Sequence, residues 1–247
     1  MKKKTVLLGA TAVMLVAATS IGGMLAYFTD TDTKENTFTV GNVEIRINEE
    51  FEQGSIANPG VAVAKNPTIE NIGDNAAYVR MKVVFSDASA WMTGLDAKYK
   101  KSENDVPMID SIVLNTVDTT NWGKTFINQD PNFRNGALYD EKADTLTVIY
   151  EYHKPNEDYD KWHNGILLPG EETTVRFDSV TMPALFDNED IARFSEDGEP
   201  GFTVTIIGEA IQAEGFAWRQ DAYDALDAQG ALPAVEETAE PTEPVQP

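Results

Sequence analysis

The chain has two histidines and no cysteine, so its catalytic vocabulary is small. His153 and His163 stand ten residues apart, flanking the loop Lys-Pro-Asn-Glu-Asp-Tyr-Asp-Lys-Trp. A zinc peptidase of the usual kind needs two histidines one helical turn apart, with a glutamate between them to activate water. Neither histidine has a glutamate at that spacing. The two could meet across the loop, with Glu157, Asp158 or Asp160 completing a site. The alternative is a pair of surface imidazoles at a hairpin end. Nucleophilic catalysis has no better footing, because no Gly-x-Ser-x-Gly occurs and no thiol is present. Among 41 acidic residues a working carboxylate pair cannot be singled out. No catalytic residue is therefore expected.

Hard oxygen ligands suit calcium, and Asp30 and Asp32 share one side of an extended segment. The calcium-loop spacing then fails, since Lys34 takes the third ligand position and Gly41 the last. Asp187, Glu189 and Asp190 form a second acidic group without a known loop pattern. A divalent cation is thus the one cofactor class left open, with His153, His163, Asp30 and Asp32 as candidate ligands; no other cofactor is expected. Trp91, Trp122, Trp162 and Trp218 could stack on sugar rings if exposed, or anchor the core if buried.

The elements that must position these residues read as short strands. Val79, Met81, Val83 and Phe85 alternate with Tyr78, Arg80, Lys82 and Val84, the period of a half-buried strand. Leu146, Val148, Tyr150 and Tyr152 repeat the pattern, as do Val175 with Phe177, and a long run from Phe202 to Ala213. Val43, Ile45 and Ile47 share one parity, Phe38 and Val40 the other, so the phase slips at Gly41-Asn42. Val61 to Ala64 is an apolar run broken by Asn66-Pro67, and proline restricts such a piece to an edge. Ile109 to Val117 reads as another strand. Residues 87 to 108 read as an insertion with some helix, 118 to 141 as a turn-rich excursion, and 184 to 200 as a loop with one helical turn. Trp218 to Gln229 has helical spacing, with Gly230 where a cap belongs. Short strands without regular alternation with helices predict a mainly β, antiparallel sandwich with helical and loop insertions.

Net charge is −22, which argues against nucleic-acid and anionic-lipid partners. Lys2, Lys3 and Lys4 precede an uncharged run from Thr5 to Ala26, the form of a secretory signal peptide. Its length would also span a bilayer. Gly9, Ser20, Gly22 and Gly23 dilute it, however, and no stop-transfer charges follow. Cleavage between Ala26 and Tyr27 is expected, although Met24 departs from the small residue usual three positions before the cut. The expected division is 1–26 signal peptide, 27–230 one β domain, and 231–247 a disordered acidic, proline-rich tail. Membrane contact is expected only before cleavage, and the processed chain is expected to be secreted to the cell surface or beyond.

Ala26, then Tyr27-Phe28-Thr29-Asp30, then Phe38-Thr39-Val40-Gly41-Asn42-Val43, resembles the start of the TasA/camelysin family of Gram-positive secreted proteins. Lys65-Asn66-Pro67 through Asn71-Ile72-Gly73 to Tyr78-Val79-Arg80 agrees with it. So does Leu168-Pro169-Gly170-Glu171 through Phe177 and Val180 to Pro183, followed by Ala210-Ile211-Gln212-Ala213. The resemblance implies a jelly roll, export with a dedicated signal peptidase, and a role as fibre subunit of the biofilm matrix. It also carries the label of metalloendopeptidase, which stands as the alternative beside a polysaccharide-binding module. The N-terminal segment independently suggests assembly. Residues 27 to 40 are extended in character, and Tyr27, Phe28, Phe38 and Val40 could anchor them on the sheet edge of a neighbour. Such a head-to-tail contact does not close and builds a filament. Self-association is therefore the principal partner expectation, with other matrix proteins or polysaccharide beside it.

Overall fold

The computed structural model describes residues 29–32, 43–51, 57–125, 130–155, 164–194 and 201–230. The expected signal peptide, its Ala26–Tyr27 cleavage point, Phe28, Phe38, Val40, His163 and the tail 231–247 lie outside them.

The main sheet is built around the strand with the clearest alternation. β5 (Ala77–Phe85) places Val79, Met81, Val83 and Phe85 in the core with no exposed surface. β13 (Val204–Gln212) pairs with it along its whole length, from Val204↔Phe85 to Gln212↔Ala77. On the other flank lies β10 (Thr145–Tyr152), from Leu146↔Phe85 to Glu151↔Arg80. The short β11 (Ile166–Leu167) continues that flank opposite Tyr78 and Ala77. Beyond β10 come β9 (Ala137–Asp140) and β8 (Phe133–Arg134), with β7 (Trp122–Lys124) beside the far end of β10. β1 (Thr29–Asp32) closes the opposite edge, on β13. Every pairing in this sheet is antiparallel.

Two smaller sheets form the second layer. β12 (Phe177–Thr181) lies between β3 (Ala62–Ala64) and β6 (Leu114–Thr116), while β2 (Ile45–Asn48) pairs with β4 (Thr68–Asn71). The core is what the layers trap. Val43, Ile45, Ile69, Leu114, Phe177 and Val180 meet the apolar face of β5, β10 and β13 in one cluster. The arrangement is mainly β and antiparallel, as the alternation implies. Its strands divide eight, three and two, so these pairings do not by themselves define a jelly roll. β3 is an edge strand, as Pro67 requires of that region.

Helices occupy the connections. α1 (Ala88–Tyr99) closes one end of the core with Trp91 and Leu95. α3 (Asn188–Ile191) is the single turn expected after residue 184, with Asp187 and Asp190 forming its capping box. α4 (Arg219–Gly230) lies against the outer face of the main sheet, where Ala222, Tyr223 and Leu226 pack on Tyr78, Ile166, Ile211 and Ala213. No described helix is long and apolar enough to cross a membrane.

Two local readings change, and one strand is added. Ile109–Val113 is a helix, α2, and only Leu114–Thr116 is strand. Ile109 and Val113 are both buried, and their i,i+4 spacing satisfies a helical face as readily as alternation satisfies a sheet. The excursion 118–141 is partly sheet, because Asn135 (φ 46°) and Gly136 (φ 79°) turn β8 into β9. Positive φ at both central residues is the signature of a tight type I′ hairpin. Thr68–Asn71, directly after Pro67, is a strand, β4, in a stretch to which the sequence pattern assigned no element. One glycine is indispensable to the sheet: a Cβ on Gly165 (φ 89°) would fall 2.0 Å from the Tyr152 carbonyl oxygen.

Candidate functional site

The N-terminal segment singled out for assembly begins, within the described residues, on the edge of the main sheet. Thr29, Asp30, Thr31 and Asp32 stand opposite Ile211, Ala210, Glu209 and Gly208. Within this chain the strand lies in its own sheet, whereas the expectation was of a segment added to the edge of a neighbour. It covers Gly208 to Ile211, and the Val204–Ile207 portion of β13 has no partner strand on that side among the described residues. The close approach of β2 shapes this edge from beneath. A Cβ on Gly208 would lie 3.1 Å from Ile45 Cδ1 and 3.3 Å from Ile47 Cγ1, so β13 carries no side chain where the second layer presses against it.

On the outer face a charge network ties the acceptor strand to its neighbours. Glu209 faces Arg80 across the β13–β5 register and takes a charge-assisted hydrogen bond from the Arg80 Nε. Its other oxygen accepts from Lys82 Nζ at 2.6 Å. Arg80, whose side chain is only 4% exposed, also reaches Asp227 on α4 at 2.5 Å. The Tyr223 ring lies beneath the guanidinium, 5.8 Å from Cζ to centroid, and the Tyr223 hydroxyl donates to the Val79 carbonyl at 2.8 Å. β5, β13 and α4 thus share one ionic tie, buried at Arg80 and Glu209 and open to solvent at Asp227, beside the strand that carries β1. Sequence reading missed Glu209 and Asp227. The available signal was Arg80 and Lys82, two cations on one parity of a strand whose other parity is wholly apolar; a strand buried on both faces must find acids for them.

The candidates for catalysis are not brought together. The His153 amide donates to the Asn121 carbonyl at 2.9 Å. A Cβ on Gly123 would lie 2.5 Å from its Cε1, so the imidazole packs directly over that glycine. Burial and the nearby Arg219 cation lower its pKa, against a bond to the Thr120 carbonyl. A neutral imidazole in this setting is held by packing. His163 lies outside the described residues, and among the described ones no group of three His, Cys, Asp or Glu side chains could hold a metal ion. Asp30 and Asp32 occupy alternate positions of β1. Asp187 and Asp190 cap α3, and Lys98 bridges them at 2.6 and 3.4 Å. Of the tryptophans, Trp91 and Trp122 are buried and Trp218 is 50% exposed, while Trp162 lies outside the described residues. A shallow recess lined by Asn132, Tyr139, Asp140, Glu141 and Lys142 holds neither histidine nor tryptophan.

A family model described as camelysin metallo-endopeptidase matches residues 1–168. No curated protein and no solved structure matches the chain. The matched span ends at β11, so β12, β13 and α4 lie beyond it. β13 is nonetheless integral to the main sheet, where it is the strand between β1 and β5.

Proposed function

The chain belongs to the camelysin metallo-endopeptidase family, and from that footing we propose that it is a secreted structural subunit of extracellular biofilm-matrix fibres, assembling by donor-strand exchange. Residues 1–26 act as the signal peptide, and their removal by a dedicated signal peptidase frees the segment that begins at Tyr27. In the assembled state that segment leaves the edge of its own sheet and occupies the same edge of the next copy, with Tyr27, Phe28, Phe38 and Val40 as anchors.

The observation that supports this most is the β1–β13 pairing. A terminal strand on a sheet edge can be exchanged between identical copies with every main-chain hydrogen bond kept, which is the low-cost route of domain swapping. A one-way exchange of this kind propagates head to tail. The family's description carries a metal-dependent peptidase activity; of the two histidines, His153 is packed on Gly123 beside a cation and His163 lies outside the described residues.

Electron microscopy of the processed protein, beside a variant lacking residues 27 to 36, tests the proposal. The intact protein is expected to form filaments and the deletion variant to remain monomeric. Two monomeric samples across concentration and pH would refute it.

A further inference from the structure

A second charged cluster lies within the fold, away from the sheet edge. Lys124 on β7 and Asp110 on α2 meet with Nζ 2.6 Å from Oδ1, their side chains 8% and 11% exposed. Tyr150, fully buried, is the cross-strand partner of Lys124 and its hydroxyl donates to the other Asp110 oxygen at 3.1 Å. The Arg176 guanidinium stands 4.6 Å from the centroid of the Tyr150 ring. Its Nη1 donates to the Asp118 carbonyl at 2.9 Å, and its Nε has no hydrogen-bond partner among the described residues. Lys124, Asp110, Tyr150 and Arg176 are thus gathered at one interior site.

Such a pair is expensive to keep ionised, since each buried ion costs several kcal/mol of desolvation. A reaction that removes both charges together relieves that cost. An amine in contact with one carboxyl oxygen also stands near the about 3–3.5 Å separation from which bond formation proceeds. We propose that Lys124 and Asp110 are a modification site, at which they condense into an intramolecular amide bond.

The step balances without a co-reactant. Lys124 Nζ gives one proton to Asp110 Oδ1, and its lone pair then forms the N–Cγ bond. The Cγ–Oδ1 bond breaks as that oxygen takes a second proton from nitrogen and leaves as water. Oδ2 remains as the amide oxygen, still accepting from Tyr150. Burial and the Asp110 carboxylate push the Tyr150 phenol well above its usual range, so it stays a donor throughout and polarises the carbonyl under attack. The product exchanges a buried ion pair for a neutral amide. It also gives a chain without cysteine a cross-link that does not depend on the redox state of its surroundings.

Tryptic digestion of the denatured full chain followed by mass spectrometry decides the matter. Lys101, Lys124 and Arg134 are consecutive cleavage points. With the amide in place, trypsin cannot cut after Lys124, and the main product is peptide 102–134, lighter than its sequence by one water. Asp110→Ala is expected to restore cleavage after Lys124 at full mass. A wild-type digest dominated by peptide 102–124 at full mass overturns the proposal, whether or not the variant folds. Persistence of the water loss in Asp110→Ala overturns it equally.

Discussion

Glu209→Ala is expected to destabilise the fold by about 3–5 kcal/mol, the range for removing one partner of a buried ion pair. Glu209 is the shared anion of Arg80 and Lys82. Without it, Arg80 remains 4% exposed with Asp227, 63% exposed, as its one acidic partner among the described residues. Lys82, 25% exposed, can turn toward water, but the Arg80 guanidinium is pinned between β13 and Tyr223. The loss should appear as a lower urea midpoint. Asp227→Ala supplies the contrast: it leaves Arg80 paired with Glu209 and removes a largely solvated carboxylate, for which about 0–1 kcal/mol is expected. Equal losses in the two variants would show that the tie to α4, not the β5–β13 pair, carries the stabilisation.

Trp91→Ala is expected to cost about 3–5 kcal/mol, the range for emptying a large aromatic site in a packed core. Trp91 is fully buried and joins elements remote in sequence. Its ring lies 6.1 Å from Phe85 on β5, 6.0 Å from Phe186 before α3, 4.8 Å from Phe194 and 4.9 Å from Phe202. Edge contacts of this kind add about 0.5–1.5 kcal/mol each beyond area burial. Trp91→Phe should recover most of the loss, because the indole Nε1 has no hydrogen-bond partner among the described residues and the contribution is one of volume. A Phe variant as unstable as the Ala variant would point instead to a polar role for the indole.

The legible parts of the sequence were those where one periodicity had no rival. β5, β10 and β13 alternate over eight or nine residues, and their buried faces follow from counting. α4 was equally plain, with Ala222 and Leu226 one turn apart and both buried. Ile109–Val117 misled because its apolar residues satisfy two periods at once, and the buried Asp110 became intelligible only through Lys124 and Tyr150. β8 and β9 were hidden by brevity: two and four residues are too few to show a pattern, and Asn135-Gly136 was the sole cue. The strand Thr29–Asp32 could be read as extended from the sequence. Its acceptor could not, because the nearly 180 residues between Thr31 and Glu209 leave no local trace of the pairing. The ionic tie beside it has the same origin, with Arg80 and Glu209 separated by 129 positions.

Exchange of β1 between copies can be read directly by cross-linking, since the native chain has no cysteine to interfere. Asp30 and Ala210 are cross-strand partners, and paired strands hold such positions within the about 4.4–6.8 Å that a disulfide spans. Filaments of the processed Asp30→Cys/Ala210→Cys protein, oxidised and run on a non-reducing denaturing gel, are expected to give a ladder of covalent multimers. Filaments that yield only internally cross-linked monomer would show that β1 stays in its own sheet, contradicting strand exchange.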